Sequence, residues 1–274
     1  MPAISTNIAA NSAVRYLNIN SNQETSSLSK LSSGSRITSA SDDAAGLAIS
    51  TRISSDITTL QQAATNAAQA TSILQTADGG ASNISDILAR MKSLASESAS
   101  GTTVGTSRTY IQSEFSQLIS EISSIATGTR YSGQSLLDGT STFSAGVSVL
   151  VGSSATDTID IKLSDLTAST LGVSSLDVST QSGATAALTT LDTAIDTVSK
   201  ARADIGAQES RFNFSADSIS TQTQNLQSAN SAIKDVDTAS EQAKLSSAQV
   251  QTQAAVSAEA AANQIPQYLL KLLG

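Results

Sequence analysis

Two adjacent carboxylates, Asp42 and Asp43, stand out in the stretch LSSGSRITSASDDAAGLAIS at residues 31–50. Paired carboxylates do acid–base work when both converge on one substrate atom. Neighbours on a helix diverge by about 100°, so these two do not converge. Histidine and cysteine are absent. Their absence removes the usual general base, the commonest metal ligand, disulfides and thiolate zinc sites. A hydrolase using Ser with Lys, or carboxylates, in the 140–183 region is the remaining enzymatic alternative. No nucleophile–base spacing supports it, and the Ser and Asp residues there read as solvated loop positions. The sequence therefore nominates no catalytic, cofactor-binding or metal-binding residue.

The same two carboxylates make good sense at a helix start. Ser41 is placed to cap a helix beginning at Asp42, and both acids favour the positive end of its dipole. Gly34, among serines, releases the preceding helix. Ala44, Ala45 and Gly46 are small enough to let another backbone or subunit approach. Residues 31–50 thus read as a hinge between a terminal helix and a long one.

The elements around this hinge follow from composition and spacing. At 274 residues the chain has the length of about two domains, with 39% hydrophobic and only 3% aromatic residues. Its cores must be built from Ala, Ile, Leu and Val. A net charge of −8 with scattered Lys and Arg offers no footprint for nucleic acid. The segment from Met1 to Asn7 lacks the features of a secretory signal. The longest apolar run, Tyr268 to Leu273, contains Lys271 and is far below the ~20 residues that span a bilayer. A cytosolic protein, or one exported without a cleaved signal, is the expectation.

Apolar residues at Ile53, Ile57, Leu60, Ala64, Ala67, Thr71 and Leu74, then Ile84, Leu88, Met91 and Ala95, predict one long amphipathic helix with a soft point at Gly79-Gly80. A turn at 101–105 leads to a shorter helix carrying Ile111, Phe115, Leu118, Ile122 and Ile125. From Leu188 to Ile233, steps of three and four continue through Leu191, Ile195, Val198, Ile205, Phe212 and Ile219. Arg202, Glu209 and Asn230 are polar interruptions that fix register in this coiled-coil-like seam, roughly 70 Å long. In between, Phe143, Val147, Val149 and Val151 and the run Ile159 to Leu163 alternate as strands of a small surface-facing insert. The prediction is a mainly α fold, an antiparallel coiled-coil or helical bundle made from the N- and C-terminal halves, with a β-hairpin region in the middle.

The two ends are weakly amphipathic. Val14, Leu17, Leu28 and Leu31 form one grid. Val236, Ser240, Ala243, Ser247, Val250, Ala254, Ser257 and Ala261 form a seam of mostly small residues. Faces with so little apolar area do not hold isolated helices, so both ends are expected to order only against a partner.

At this point the sequence resembles the bacterial flagellins. The N-terminal likeness lies in Leu31-Ser32-Ser33-Gly34, Arg36-Ile37 and Ser41 to Ile49; the C-terminal one lies in Asn263-Gln264-Ile265-Pro266-Gln267 with Leu269-Leu270 and Leu272-Leu273. Gly133 to Gly139, Gly206-Ala207-Gln208 with Arg211-Phe212, and Thr158 to Ile161 add to it. The resemblance implies a hairpin-shaped subunit: 1–41 with 234–274 as an inner-core helix pair, 42–138 with 184–233 as a rod-like bundle, and 139–183 as the outward insert. It implies a secreted, extracellular subunit that leaves by the flagellar type III route, polymerises beneath a cap into the helical filament for swimming, and meets hook-associated proteins and an export chaperone. No cofactor, membrane or nucleic acid enters this picture. Ser5, Ser35 and Gly274 depart from the family's usual residues.

Subunit contacts are then expected at Asp42, Asp43, Ala44 and Gly46 of the hinge and at Val236, Ala243, Val250, Ala254 and Ala261. In flagellins of enterobacterial type an exposed patch is read by a Toll-like innate immune receptor. Arg90, Leu94 and Glu114 match that patch, whereas Ala89 and Ser93 depart from it, which implies weakened activation. A hook–filament junction protein, with related termini, and an intracellular coiled-coil scaffold are the other structural readings.

Overall fold

The computed structural model describes residues 6–273, without side chains at 265, 266 and 268–273. The segment Met1–Ser5, the departures at Ser5 and Gly274 and the side chains of Tyr268 to Leu273 lie outside the described residues.

Helix α1 runs from Ile8 to Ser33; Asn7 caps its start by accepting from the Ala10 N–H, and Gly34 ends it with φ 68°. That left-handed geometry suits a residue without a Cβ. Helix α2 spans Ala44–Ala99 and α3 spans Gly105–Gly128. Strands β1 (Arg130–Tyr131) and β2 (Gln134–Ser135) turn through Ser132 and Gly133, both at positive φ. After the short helix α4 (Thr142–Ala145), β3 (Val147–Leu150) pairs antiparallel with β4 (Thr158–Ile161), Val147 opposite Ile161. Helices α5 (Gln181–Lys234) and α6 (Thr238–Leu273) complete the chain.

The chain divides into two compact units, one of Met1–Ser55 with Asn225–Gly274 and the other of Asp56–Gln224. In the second unit α2 carries buried positions at 60, 63, 67, 70, 74, 77, 81, 84, 88, 91, 95 and 98, an unbroken alternation of three and four, with Gly80 and Leu94 buried beside it. This is a heptad seam in which half of the members are alanine. The matching positions of α5 are Ala184, Ala187, Leu191, Ala194, Val198, Ala201, Ile205 and Phe212. Phe115 of α3 and Phe212 are its fully buried aromatics.

The expected polar interruptions find partners on α2. Arg202 donates from Nε to Asp78 at 2.9 Å, and Gln75 donates to Glu209 at 3.0 Å. Lys92 pairs with Asp192. In the first unit Asn230 accepts from Ser50 at 2.8 Å and donates to Ser54 at 3.3 Å. These partners run in opposite directions along the chain, as an antiparallel pair requires.

Four expectations change. Gly80 is not a soft point, because α2 continues through it and a Cβ there would come within 2.5 Å of Thr129 Oγ1 and 2.9 Å of Leu137 Cδ1. Its missing side chain admits the segment after α3. Phe143 lies in α4 rather than in a strand. The insert is not simply surface-facing: Leu163, Leu166, Leu171, Val173 and Val178 are buried. It is fastened where Ser98 donates to the Val178 carbonyl and Gln112 accepts from the Val178 N–H. Gln208 of α5 both accepts from Lys162 N–H and donates to Lys162 C=O, so one side-chain amide holds the end of β4. Finally, Ala63, Ala70, Ala187, Ala194 and Ala201 occupy the seam positions where their neighbours Ala64, Thr71, Leu188, Ile195 and Arg202 were expected.

Candidate functional site: the hinge and the terminal helix pair

The hinge assigns its two carboxylates separate tasks. Asp42 Oδ2 accepts from the Thr38 N–H (2.9 Å), the Thr38 hydroxyl (2.9 Å) and the Ser39 N–H (3.0 Å). Those donors, the Thr38 N–H foremost, lower its pKa from 3.8 to about 2. Asp43 Oδ1 accepts from the Gly46 N–H at 2.8 Å, and its carbonyl accepts from the Leu47 N–H at 3.0 Å. Asp43 is therefore the N-cap of α2. The expected cap, Ser41, instead shares a hydroxyl contact with Ser39 at 2.7 Å, and the helix begins at Ala44 rather than Asp42. A carboxylate displaces a hydroxyl here because it accepts a charge-assisted bond at the positive end of the dipole.

Gly46 is also reassigned. A Cβ on it would lie 2.4 Å from Asp43 Oδ2 and 2.8 Å from Ile37 Cδ1, so its space is taken up within the chain by the cap and buried Ile37. Ala44 and Ala45 remain exposed.

A backbone clasp closes the hinge. Arg36 N–H donates to Lys234 C=O (2.6 Å) and Val236 N–H to Gly34 C=O (3.1 Å), flanking a bridge between Ser35 and Asp235. The Arg36 guanidinium adds two bonds to the Ile233 carbonyl. Beyond it Asp237 caps α6 by accepting from the Ala239 and Ser240 N–H groups.

Helices α1 and α6 pack along a thin seam. Its buried members are Ala13 and Ser27 on α1, and Glu241, Leu245, Ala248, Ala255 and Ala262 on α6. Asn7 donates to the Ala262 carbonyl at 2.8 Å near the far end. The positions expected to make subunit contacts lie off this seam, Val236 just before α6 and the others on it. Val236 is half-buried, whereas Ala243, Val250, Ala254 and Ala261 are exposed. Ala254 and Ala261 lie one position before the buried Ala255 and Ala262 and flank the seam, whereas Ala243 and Val250 lie two positions past Glu241 and Ala248, about 200° around the helix. The latter two form an outer face, and Ile8, Tyr16, Ile19 and Leu28 of α1 are exposed too. A groove beside the seam is lined by Ala13, Tyr16, Asn20, Gln251, Ala254 and Ala258.

The three receptor-patch residues do not share one surface. Arg90 and Glu114 pair at 2.6 Å, each about half exposed, but Leu94 is only 3% exposed and belongs to the α2 core. Glu241 and Ser27 escaped the sequence reading. The available signal was the column 241, 248, 255, 262, seven residues apart, in which a Glu precedes three alanines.

Comparison with known proteins bears on all of this. The bacterial flagellin N-terminal helical region matches residues 4–142, and the C-terminal helical region matches residues 188–273. A flagellin of Halalkalibacterium halodurans is 36% identical over 98% of this chain and 99% of its own. The flagellar filament 30.7 kDa core protein of Treponema maltophilum is 35% identical at the same coverages. The crystal structure of Bacillus cereus flagellin, 31% identical, superposes with a TM-score of 0.52 over 61% of this chain and 94% of that one. With both helical ends matched and relatives above one-third identity aligned along nearly its whole length, the chain belongs to the bacterial flagellin family.

Proposed function

We infer that this chain is a structural subunit that polymerises into the helical flagellar filament, outside the cell, and so serves swimming motility. The observation that carries the inference is the outer face of the terminal helix pair. Ile8 is 71%, Tyr16 62% and Val250 66% exposed, while the seam between the helices buries mainly small side chains. Such a pair gains its missing apolar burial from identical copies packed around it. Small residues at Ala243, Ala254 and Ala261 let neighbouring helices approach closely, and the hinge at Asp42, Asp43, Ala44 and Gly46 sets the direction in which the pair is presented. The work is mechanical: stiffness from packed helices and waveform from small discrete shifts of packing.

On this reading residues 1–41 with 234–274 form the filament's inner core, 42–138 with 184–233 its surrounding layer, and 139–183 faces outward. The distal cap and hook-associated proteins are the assembly partners, and an export chaperone holds the C-terminal segment beforehand. Purified chain added to short filament seeds is expected to extend them into long filaments under the electron microscope. Seeds that stay short would overturn the reading in favour of a junction protein.

A host Toll-like receptor is a further partner class, engaged weakly. The Arg90–Glu114 pair satisfies its own charges, Leu94 is withdrawn, and Ala89 and Ser93 offer no charged contact. A reporter-cell assay is expected to show reduced potency; full potency contradicts this.

A further inference from the structure

The seam between α1 and α6 is nearly featureless, yet among its described residues it holds one buried charged group. Glu241 is only 4% exposed, and burying a carboxylate costs several kcal/mol unless it is compensated. Lys244 donates to its Oε2 at 3.0 Å. The buried Ser27 of α1 lies beside the carboxylate without closing a hydrogen bond of full geometry, and the Lys30 charge also acts on it. Such a group is poor material for stability in a seam that alanine would fill more cheaply. It is well suited to telling one alignment from another.

The alignment is in need of such a marker. On α6 the buried column reads Glu241, Ala248, Ala255, Ala262, and on α1 the column reads Ala13, Asn20, Ser27, each stepping by seven. With Glu241 at Ser27, Ala255 comes level with Ala13. Sliding α6 by one heptad sets Ala248 or Ala262 level with Ala13 instead, exchanging alanine for alanine. What changes along this column is the carboxylate, which moves onto the larger Asn20 in one direction and past the end of α1 in the other. Both slips take it away from Ser27 and Lys30.

We infer that Glu241, seated against Ser27 between the terminal helices, is the residue that fixes the register of the α1–α6 pair. The small Ser27 side chain leaves the room that the carboxylate needs, and the lysines on both helices hold its charge there. Leu245, one turn along, supplies packing rather than register. The inference rests on the proposed assembly, in which the terminal pair becomes ordered among neighbouring copies, and it concerns how the two helices of each chain align there.

The chain lacks cysteine, so introduced pairs report cleanly. Full-length chains carrying Ala13→Cys with Ala255→Cys, Ala248→Cys or Ala262→Cys are oxidised, both free and after seeding, and intrachain products are separated from interchain ones by mass on a non-reducing gel. The 13–255 product is expected to dominate. Glu241→Ala is expected to lower its excess over the slipped products about tenfold, the scale of one charge-assisted hydrogen bond. Leu245→Ala is expected to reduce total cross-linking and leave the ratio unchanged. Ser27→Leu, which fills the carboxylate's space from the other helix, is expected to redistribute the products as Glu241→Ala does, and it decides the matter if Glu241→Ala forms no pair. An unchanged ratio in both variants, or an equal shift in Leu245→Ala, overturns the inference and leaves register to the clasp at Ser35 and Asp235. Seed extension is read separately, so a failure to assemble is distinguished from a loss of register in the filament.

Discussion

Asp42 and Asp43 show how far one position changes a residue's task. Asp43 closes the first turn of α2, and Asp43→Ala is expected to cost about 1 kcal/mol in urea unfolding, the usual worth of an N-cap. Asp42 ties down the preceding turn, and its pKa falls from 3.8 to about 2 through the Thr38 and Ser39 donors. A carboxyl lowered in the folded state contributes stability above its unfolded pKa and loses it as pH falls through the folded value. The hinge is therefore expected to loosen between about pH 4 and pH 2, as followed by exchange of the Thr38 and Ser39 amides, and Asp42→Asn should flatten that dependence. An equal acid response in Asp42→Asn would contradict the assignment. The sequence showed the helix start and its acidic character. It did not show which side chain caps, because Ser41, Asp42 and Asp43 all have suitable chemistry and only the backbone path selects one.

At the scale of elements, α2 separates two adjacent glycines. Gly79 has open space where a Cβ would stand, whereas Gly80 is pressed against Thr129 and Leu137. Gly79→Ala is expected to stabilise the chain by up to about 1 kcal/mol through helix propensity. Gly80→Ala should destabilise it by roughly 1–3 kcal/mol through overpacking. Thermal unfolding of the two variants checks both signs, and stabilisation by Gly80→Ala would show that the segment after α3 yields freely. The polar contacts rank below the core. Arg202 and Asp78 are each 38% exposed at the side chain, so Arg202→Ala is expected to cost about 1 kcal/mol or less, against roughly 3–5 for Phe212→Ala.

Periodicity revealed these long helices because heptad spacing persists over many turns, and it marked Arg202, Glu209 and Asn230 as polar seam positions. It misplaced one column of each seam by a residue. Where backbones approach closely alanine is the buried residue, and a search for large apolar side chains passes over it. The buried leucines of 163–178 were missed for a related reason, since a segment without regular structure has no period to detect.

For the whole molecule, the terminal helices and their thin apolar faces were legible in the sequence, but the column that packs α1 against α6 was not. Ala243 and Val250 face outward, Ala254 and Ala261 flank the seam, and the column containing Glu241 and Ala255 faces α1. The expected column and this one both consist mainly of small residues at the same spacing, so spacing alone could not rank them. On the proposed assembly the exposed residues of α6 meet other copies. Ala254→Phe or Ala261→Phe should overpack that contact and block seed extension; normal filaments from either variant would remove these residues from the interface.

The claim on which everything else depends is that the terminal helices draw their order from neighbouring copies. Hydrogen exchange of the soluble chain and of the assembled filament compares the two states directly. Amides of 8–33 and 238–264 are expected to exchange rapidly in the soluble chain, while the α2 core around Leu74 to Met91 stays protected, and to become slow in the filament. Terminal helices already protected in the lone chain, to the degree of the α2 core, would contradict the account.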